Sequence, residues 1–281
     1  MMVAIQNLKF TYSRRKRLFE GLDLSLSNGH IYGLLGKNGT GKSTLLHLMS
    51  GLLFPQSGSI EVLDFIPEER DVEFLRNLFL IPEEFVVADV TPERYADLYA
   101  SLYPRFNEKQ YKDYLKEFDI EPGCSMARMS MGQRKKAFIA FALACNTRIL
   151  MMDEPTNGLD IPSKTQFRKI IASVATDDRC IVISTHQVRD LENLIDAVVI
   201  LENHRIVFNE PIDEIACKYS FISYTDSDKP DQLLYDEPGV IGGRAIVLNR
   251  KEVPSRVDME ILFNAVTSGD REISGLFTTK I

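Results

Sequence analysis

The chain has 281 residues, enough for one large domain with a small appendage or for two modest domains. Its 44% hydrophobic and 26% charged residues are ordinary for a globular protein, and its net charge of −7 argues against nucleic acid as a partner, because phosphate backbones need a basic surface. No stretch approaches the roughly 20 apolar residues that cross a bilayer, so any membrane-spanning part is expected on another chain. The four cysteines lie far apart without metal-ligand spacing and fit a reducing compartment.

A P-loop follows the first predicted strands. Alternating apolar residues predict strands at residues 3–10 and 22–26, and the apolar run at 31–35 predicts a third. Residues Gly36 to Ser43 then match G-x-x-x-x-G-K-[ST], and a helix is expected at residues 44–52. In this motif backbone N–H groups surround phosphate oxygens, Lys42 reaches the β- and γ-phosphates, and the Ser43 hydroxyl binds Mg²⁺. A Gly-rich turn without a ligand is the alternative for the motif alone.

A helical insert is predicted in the middle of the chain, at about residues 84–147. Short strands are expected before it at residues 59–63 and 77–81, and helices within it at residues 91–103, 107–118 and 130–144. Its first residues, Phe85 to Val87, form either an exposed apolar patch or a buried segment. For the run Arg134 to Lys136, a solvated helix face is favoured over a phosphate site.

Three candidate functional motifs lie at the last of these helices and at the strands after it. Residues Met129 to Gln133 open the helix as either an ordinary N-cap or an anion site. An apolar strand at residues 149–152 leads into Asp153 and Glu154, which are either solvated acids or, after a P-loop, a metal ligand and a general base. His186 follows another apolar strand, where ligands bind in parallel sheets, although a lone histidine more often has a structural role.

The rest of the chain consists of two segments with different sequence patterns. A helix is expected at residues 163–175 and a closing strand pair at 197–201 and 205–208. Beyond about residue 217, strands are expected at 218–225 and 244–249 and an amphipathic helix at 255–266. The alternation of strand and helix predicts an α/β domain with a mainly parallel sheet at residues 1–215 and a small accessory region at residues 216–281.

The order of these motifs resembles the ATP-binding subunit of an ABC transporter, of the bacterial exporter branch, over residues 1 to about 215. The resemblance implies an ABC ATPase fold, in which an antiparallel β-subdomain and a helical subdomain accompany the parallel sheet. It implies that an aromatic residue of the first strand stacks on adenine and that the residues after Met129 contact the ATP of a second subunit. The residues implied to contact ATP are Tyr12, Gly36, Lys37, Asn38, Gly39, Thr40, Gly41, Lys42, Ser43, Thr44, Ser130, Gly132, Gln133 and Asp160.

The resemblance also implies the catalytic and metal-binding residues. The implied catalytic residues are Glu154, the switch histidine His186 and Lys42, and the implied Mg²⁺ ligands are Ser43, Asp153 and Glu83. Two residues depart from the family pattern: Glu83 replaces the usual glutamine and Met131 replaces a glycine. We expect both to be compatible with function, because a carboxylate still binds Mg²⁺ and the phosphate contacts come from Ser130 and Gly132.

The function that the resemblance implies is ATP hydrolysis in a dimer, predicted to be a homodimer, that drives export through a separate permease. ATP and Mg²⁺ are then the cofactors, and the subunit lies in the cytoplasm, on the inner face of the membrane. Two other hypotheses remain at this point. A scaffold ATPase that works without a pore would carry the same motifs, and a regulatory protein that hydrolyses little is suggested only by Glu83.

Overall fold

The structure is a computed structural model that describes residues 1–13, 16–250 and 253–268. Its strands are β1 (Val3–Ser13), β2 (Lys16–Leu26), β3 (Ile31–Leu35), β4 (Ser57–Val62), β5 (Leu78–Ile81), β6 (Ile149–Asp153), β7 (Cys180–Thr185), β8 (Ala197–Glu202), β9 (Arg205–Pro211), β10 (Tyr219–Tyr224), β11 (Tyr235–Pro238) and β12 (Gly243–Leu248). Its α-helices are α1 (Lys42–Met49), α2 (Val72–Arg76), α3 (Pro92–Tyr99), α4 (Glu108–Glu117), α5 (Met131–Ala144), α6 (Ile161–Ser173), α7 (Ile212–Lys218) and α8 (Met259–Thr267).

A central sheet of six strands has the order β5-β6-β7-β3-β8-β9. The first five strands are parallel, and β9 pairs antiparallel with β8. Every residue of β3, β6 and β7 is buried, because helices or a second sheet cover both faces. The predicted α/β fold with a mainly parallel core sheet is therefore confirmed.

Alternate side chains of the central strands enter two different hydrophobic layers. On β6, Ile149 and Met151 pack with the antiparallel sheet β2-β1-β4 and with α1, whereas Leu150 and Met152 pack with the helices of the insert. The parallel strands consequently end together at one edge, with their carboxyl ends on the same side. The loops after β3, β6 and β7 meet at that edge.

The C-terminal region adds a small sheet and a helix. The sheet has the order β10-β12-β11, and α8 packs against a short 3₁₀ helix at Val188–Leu191, next to β7. The side chain of Leu262 on α8 is fully buried in the same hydrophobic layer as Leu191. Helix α7 crosses the boundary predicted between residues 215 and 216, so this boundary stays a prediction, and residues 269–281 of the accessory region lie outside the described residues.

Some elements differ from those expected. Helices α2 and α7 and strand β11 were not predicted, because five- to seven-residue helices and a four-residue strand carry too few turns or alternations to show a period. The helix expected at residues 255–266 begins only at Met259, where Asp258 caps it by accepting hydrogen bonds from the amides of Glu260 and Ile261. Within the described ranges, no helix combines the length and the apolar character needed to cross a membrane.

Candidate functional site

The P-loop connects β3 to α1 and has the backbone that the glycines allow. Gly39 and Gly41 have φ angles of 83° and 113°, a left-handed conformation that favours glycine. At Gly36 a Cβ atom would lie 2.5 Å from the carbonyl oxygen of Leu201 on β8, so the sheet leaves no room for a side chain. The loop therefore closes around the N-terminus of α1, where backbone N–H groups bind anions.

Lys42 is the first residue of α1 and is buried, with 6% of its surface exposed. Its ammonium donates hydrogen bonds to the carbonyl oxygens of Gly36 (2.7 Å) and Lys37 (3.2 Å) and lies 3.8 Å from the Glu154 carboxylate. Burial lowers the pKa of Lys42, and the nearby carboxylates of Glu154, Asp153 and Glu83 oppose this shift. The ammonium is thus held inside the loop, where the resemblance implies contact with the β- and γ-phosphates.

The two carboxylates at the end of β6 are both buried and are held by the neighbouring strand. Asp153 accepts a hydrogen bond from the Ser184 hydroxyl of β7. Glu154 accepts hydrogen bonds from the Thr185 hydroxyl (3.0 Å) and from the backbone N–H of His186 (3.0 Å). Both side chains are buried, so the alternative of solvated acids at this strand end is excluded. The predicted roles of Asp153 as a metal ligand and of Glu154 as a general base stay predictions.

His186 and Glu154 form a direct side-chain pair. The Nδ1 atom of His186 lies 2.8 Å from the Glu154 carboxylate. A carboxylate only accepts hydrogen bonds, so the imidazole donates from Nδ1 and directs Nε2 away from Glu154. The Glu154 carboxylate therefore lies between the Lys42 ammonium and the His186 ring.

An open cavity of about 380 Å³ lies over the P-loop. Tyr12 of β1 lies at its wall, and its hydroxyl is hydrogen-bonded to the Thr44 hydroxyl at 2.8 Å. Glu83, from the loop after β5, and Glu154 line the same cavity. Glu83 also accepts a hydrogen bond of 3.0 Å from the side-chain amide of Asn157 in the turn after β6. The structure thus brings together, around one cavity, most of the predicted P-loop contacts with Tyr12, Glu83 and Glu154.

The ATP contacts predicted at the start of α5 and α6 lie outside the P-loop cavity of the described chain. Ser130 and Gln133 form a reciprocal cap at the start of α5, with hydrogen bonds of 3.0 and 3.2 Å between side chain and backbone. Asp160 caps α6, and the hydrogen bond from Ser163 holds the pKa of its carboxyl low. At Gly132 a Cβ atom would lie 3.1 Å from the carbonyl oxygen of Gly158. The residues that line the P-loop cavity include none of these positions.

Lys135 is where the prediction of a solvated helix face is wrong. Its side chain is buried, and its ammonium donates hydrogen bonds to the carbonyl oxygens of Glu154 (2.7 Å) and Asn157 (3.2 Å). The signal was present in the spacing, because Lys135 lies on the same helical face as the apolar Ile139 and Ala142. A lysine in that row has to find its partners inside the protein.

Ser184 and Thr185 are the other residues at the site that the sequence reading missed. Both are buried on β7, and both donate to the carboxylates at the end of β6. Their signal was weak, because hydroxyl groups at the end of an apolar strand are common and identify no partner. Met131, the residue predicted to replace a family glycine, has an exposed side chain that lies over Gly158. A Cβ atom added at Gly158 would lie 2.2 Å from the methyl group of Met131.

The sequence of this chain is similar to those of known transport proteins. The sequence model described as ABC transporter matches residues 19–157. The chain is 30% identical over 228 residues to the lantibiotic transport ATP-binding protein SrtF of Streptococcus pyogenes, which covers 75% of this chain and 92% of that protein. It is 27% identical over 268 residues to the daunorubicin resistance ATP-binding protein DrrA3 of Streptomyces coeruleorubidus, which covers 93% of this chain and 82% of that protein.

A solved structure shares the fold. It is titled as the ATP-binding subunit of an ABC transporter, and it superposes with a TM-score of 0.69 at 25% sequence identity. The match covers 76% of this chain and 92% of the other.

Proposed function

The chain belongs to the ABC transporter family, and on this premise we propose that it is the ATP-hydrolysing subunit that dimerises on ATP and drives a separate membrane-spanning permease. The family supports ATP binding and ATPase activity; the residue roles, the dimer and the direction of transport are the proposal. One observation carries it: the Glu154 carboxylate lies between the Lys42 ammonium and the His186 ring at the edge of the P-loop cavity.

Each of these three side chains has a role in the proposed reaction. A water molecule attacks the γ-phosphorus of ATP, the bond to the bridging oxygen breaks, and ADP and phosphate are released. Glu154 accepts a proton from the attacking water, and Lys42 neutralises charge on the β- and γ-phosphates. When Nε2 also carries a proton, His186 donates it in a hydrogen bond to the γ-phosphate, while its Nδ1–H keeps donating a hydrogen bond to Glu154.

The remaining cavity residues are proposed to bind the nucleotide. Tyr12 is half exposed at the cavity wall, which suits an aromatic ring that stacks on adenine. The backbone from Gly36 to Thr44 surrounds the phosphates.

Magnesium fits the oxygen donors present at the site. Mg²⁺ is usually held by one or two carboxylates together with substrate phosphates. Within the ranges that the structure describes, no group of three or more His, Cys, Asp or Glu side chains is arranged to hold a metal without the nucleotide. We therefore propose that Ser43, Asp153 and Glu83 hold Mg²⁺ once ATP is bound, where it neutralises phosphate charge.

A second copy of the chain is proposed to complete the site. Ser130, Gly132, Gln133 and Asp160 lie outside the P-loop cavity of their own chain. The apolar residues beside them, Met131 and Ile161, are 65% and 81% exposed. A head-to-tail homodimer brings these residues onto the ATP of the partner, and it covers this exposed surface.

The permease is proposed to contact the helical insert. Val86 is 98% exposed, whereas Phe85 stacks on Phe138 with ring centroids 4.5 Å apart. Of the two alternatives for this segment, an exposed patch and a buried segment, each therefore describes part of it. Tyr95 and Tyr99, also in contact with each other, lie on α3 of the same insert. Docking there places the subunit in the cytoplasm, on the inner face of the membrane.

Export is the proposed direction of transport. SrtF is named for lantibiotic transport and DrrA3 for daunorubicin resistance, and both fit the exporter branch that the motifs resemble.

The experiment that tests this function is a pull-down of tagged Glu154→Gln protein, with ATP and Mg²⁺, from detergent-solubilised membranes of its own host. We expect one polytopic membrane protein at near-equal stoichiometry, because the variant is held in its closed, ATP-bound state. The wild-type protein with ADP is the matched control and should recover less of it.

Two outcomes would contradict the proposal. Recovery of only soluble partners, or of a homodimer without a membrane protein in several mild detergents, would favour a scaffold ATPase. A wild-type protein with no more ATP turnover than Glu154→Gln would favour the regulatory hypothesis instead.

A further inference from the structure

Lys135 is a buried cation that does not line the P-loop cavity. Only 3% of its surface is exposed, and it lies on α5, one and a half turns after Ser130. A lysine is almost never fully buried without partners, because removing an ammonium from water is costly. The hydrogen-bond partners of this ammonium therefore indicate its role.

Both of its hydrogen-bond acceptors are carbonyl oxygens of the turn after β6. One belongs to Glu154, at 2.7 Å, and the other to Asn157, at 3.2 Å. Glu154 has a φ angle of 45°, a left-handed conformation that non-glycine residues rarely adopt. Its amide donates to the carbonyl oxygen of Ser184 at 3.0 Å, so Lys135 holds the other side of the same strained residue.

The orientation of this turn determines where the Glu154 carboxylate lies. That carboxylate is 3.8 Å from Lys42 and 2.8 Å from Nδ1 of His186, and a rotation of the backbone would move it relative to both. Asn157, the second partner of Lys135, donates its side-chain amide to Glu83. Burial lowers the pKa of Lys135, and the negative charges of Glu83, Glu154 and Asp153 oppose this shift. One ammonium thus holds the backbone turn that carries the Glu154 carboxylate and that contacts Glu83 through Asn157.

We propose that Lys135 is a positioning residue for ATP hydrolysis that links the α5 helix to the Glu154 turn of the same chain. This inference rests on the proposed function, in which Glu154 is the general base and Ser130 contacts the ATP of the second subunit. Because Ser130 caps the helix that carries Lys135, a shift of α5 on contact with that ATP moves the Glu154 turn.

The test compares three substitutions of Lys135 in the full-length protein. Lys135→Met keeps the length of the side chain but removes its hydrogen-bond donors, Lys135→Gln keeps a neutral donor, and Lys135→Arg keeps both charge and donors. We expect kcat to fall about tenfold or more in Lys135→Met, since a displaced catalytic group costs rate rather than binding. The ATP concentration at half-maximal rate and the affinity for a fluorescent ATP analogue should change less than about twofold.

The conservative variants and a surface control separate positioning from folding. The expected order of kcat is Arg above Gln above Met, and this order also tests the inference if Lys135→Met does not fold. Lys112→Met makes the same chemical change on α4, where Lys112 is exposed and paired with Glu108. It should keep the wild-type rate.

Three results would overturn the inference. The first is a folded Lys135→Met protein with wild-type kcat, and the second is the absence of any difference between the Arg, Gln and Met variants. The third is a parallel fall of kcat, nucleotide affinity and melting temperature, which would show a structural role alone. Glu154→Gln is measured beside them: if it keeps its turnover, the proposed catalytic site is wrong, whereas if it alone loses turnover, only the role of Lys135 is wrong.

Discussion

Two regions differ in how far their charged side chains are exposed: the edge of the central sheet at the P-loop and the C-terminal region. At the sheet edge Lys42, Lys135, Asp153 and Glu154 are each at most 6% exposed and are held by hydrogen bonds to backbone or to buried hydroxyls. In the C-terminal region Arg244 pairs with Glu237, Asp258 and Glu260, but these four side chains are 21–38% exposed. Buried charges fix a geometry strictly, whereas exposed pairs contribute little and can be exchanged.

The largest difference between the two regions is expected for the Glu154→Gln substitution. The amide keeps the shape of the side chain but cannot accept a proton, so we expect ATP turnover to fall about a hundredfold or more while ATP binding persists. Steady-state phosphate release and titration with a fluorescent ATP analogue measure the two effects. Glu68→Gln, which changes an exposed carboxylate away from the site, is the control. Equal turnover in Glu154→Gln and wild type would exclude Glu154 as the base.

A smaller effect is expected at Ser184, which contacts a proposed metal ligand without touching the metal. Its hydroxyl donates to the Asp153 carboxylate, so Ser184→Ala leaves that buried oxygen without this donor. Loss of such a support typically weakens metal binding or activity about tenfold or more. The Mg²⁺ concentration that gives half-maximal ATPase activity should rise accordingly, with the maximal rate at saturating Mg²⁺ largely restored. Ser173→Ala on α6 is a matched control, and an unchanged Mg²⁺ requirement in Ser184→Ala would contradict the assignment.

Glu83→Gln should have a still smaller effect, because Glu83 is the one exposed carboxylate among those that line the P-loop cavity in the described ranges. Glutamine keeps an oxygen for the metal and for Asn157 but removes a negative charge near the γ-phosphate. We expect turnover to persist and the Mg²⁺ requirement to rise a few fold. A Mg²⁺ titration of ATPase activity measures both. Complete loss of turnover would show that this loop depends on the carboxylate itself.

The smallest effect is expected in the C-terminal region. Arg244→Met should lower the free energy of unfolding by only about 1 kcal/mol and leave ATP turnover unchanged, because its partners are solvent-accessible. Chemical denaturation of both proteins at several pH values measures the difference. A loss as large as those expected from buried ion pairs, several kcal/mol, would remove the contrast between the two regions.

The same substitution has a predictable pH dependence. Hydrogen bonds from Arg189 and Arg244 hold the pKa of Glu260 below its ordinary value of 4.5. A carboxyl whose pKa is lower in the folded state stabilises the fold above the ordinary value, and that stabilisation is lost as the pH falls through the folded pKa. The difference between wild type and Arg244→Met should therefore shrink below about pH 4.5. A difference that grows on acidification would contradict this account.

Much of the fold could be predicted because its signals are local. The unbroken apolar runs of β3, β6 and β7 predicted strands buried on both faces, and the structure confirms them. The start of α8 was predicted too early, since the capping role of Asp258 depends on the path of the chain after Pro254. The four-residue strand β11 is defined by its pairing with β12, which leaves no period in its own sequence.

The linear sequence was enough to identify the P-loop, the Asp153-Glu154 pair and the position of His186. Phosphate binding and hydrolysis require particular residue types at short, fixed spacings, and such spacings are visible in a linear chain. The contacts of Lys135 with Glu154 and of Ser184 with Asp153 are visible only in the folded chain. These partners are 19 and 31 residues apart. They meet because α5 shares a hydrophobic layer with β6 and because β7 pairs with β6. A buried charge is identified by what surrounds it, and the surroundings exist only after folding.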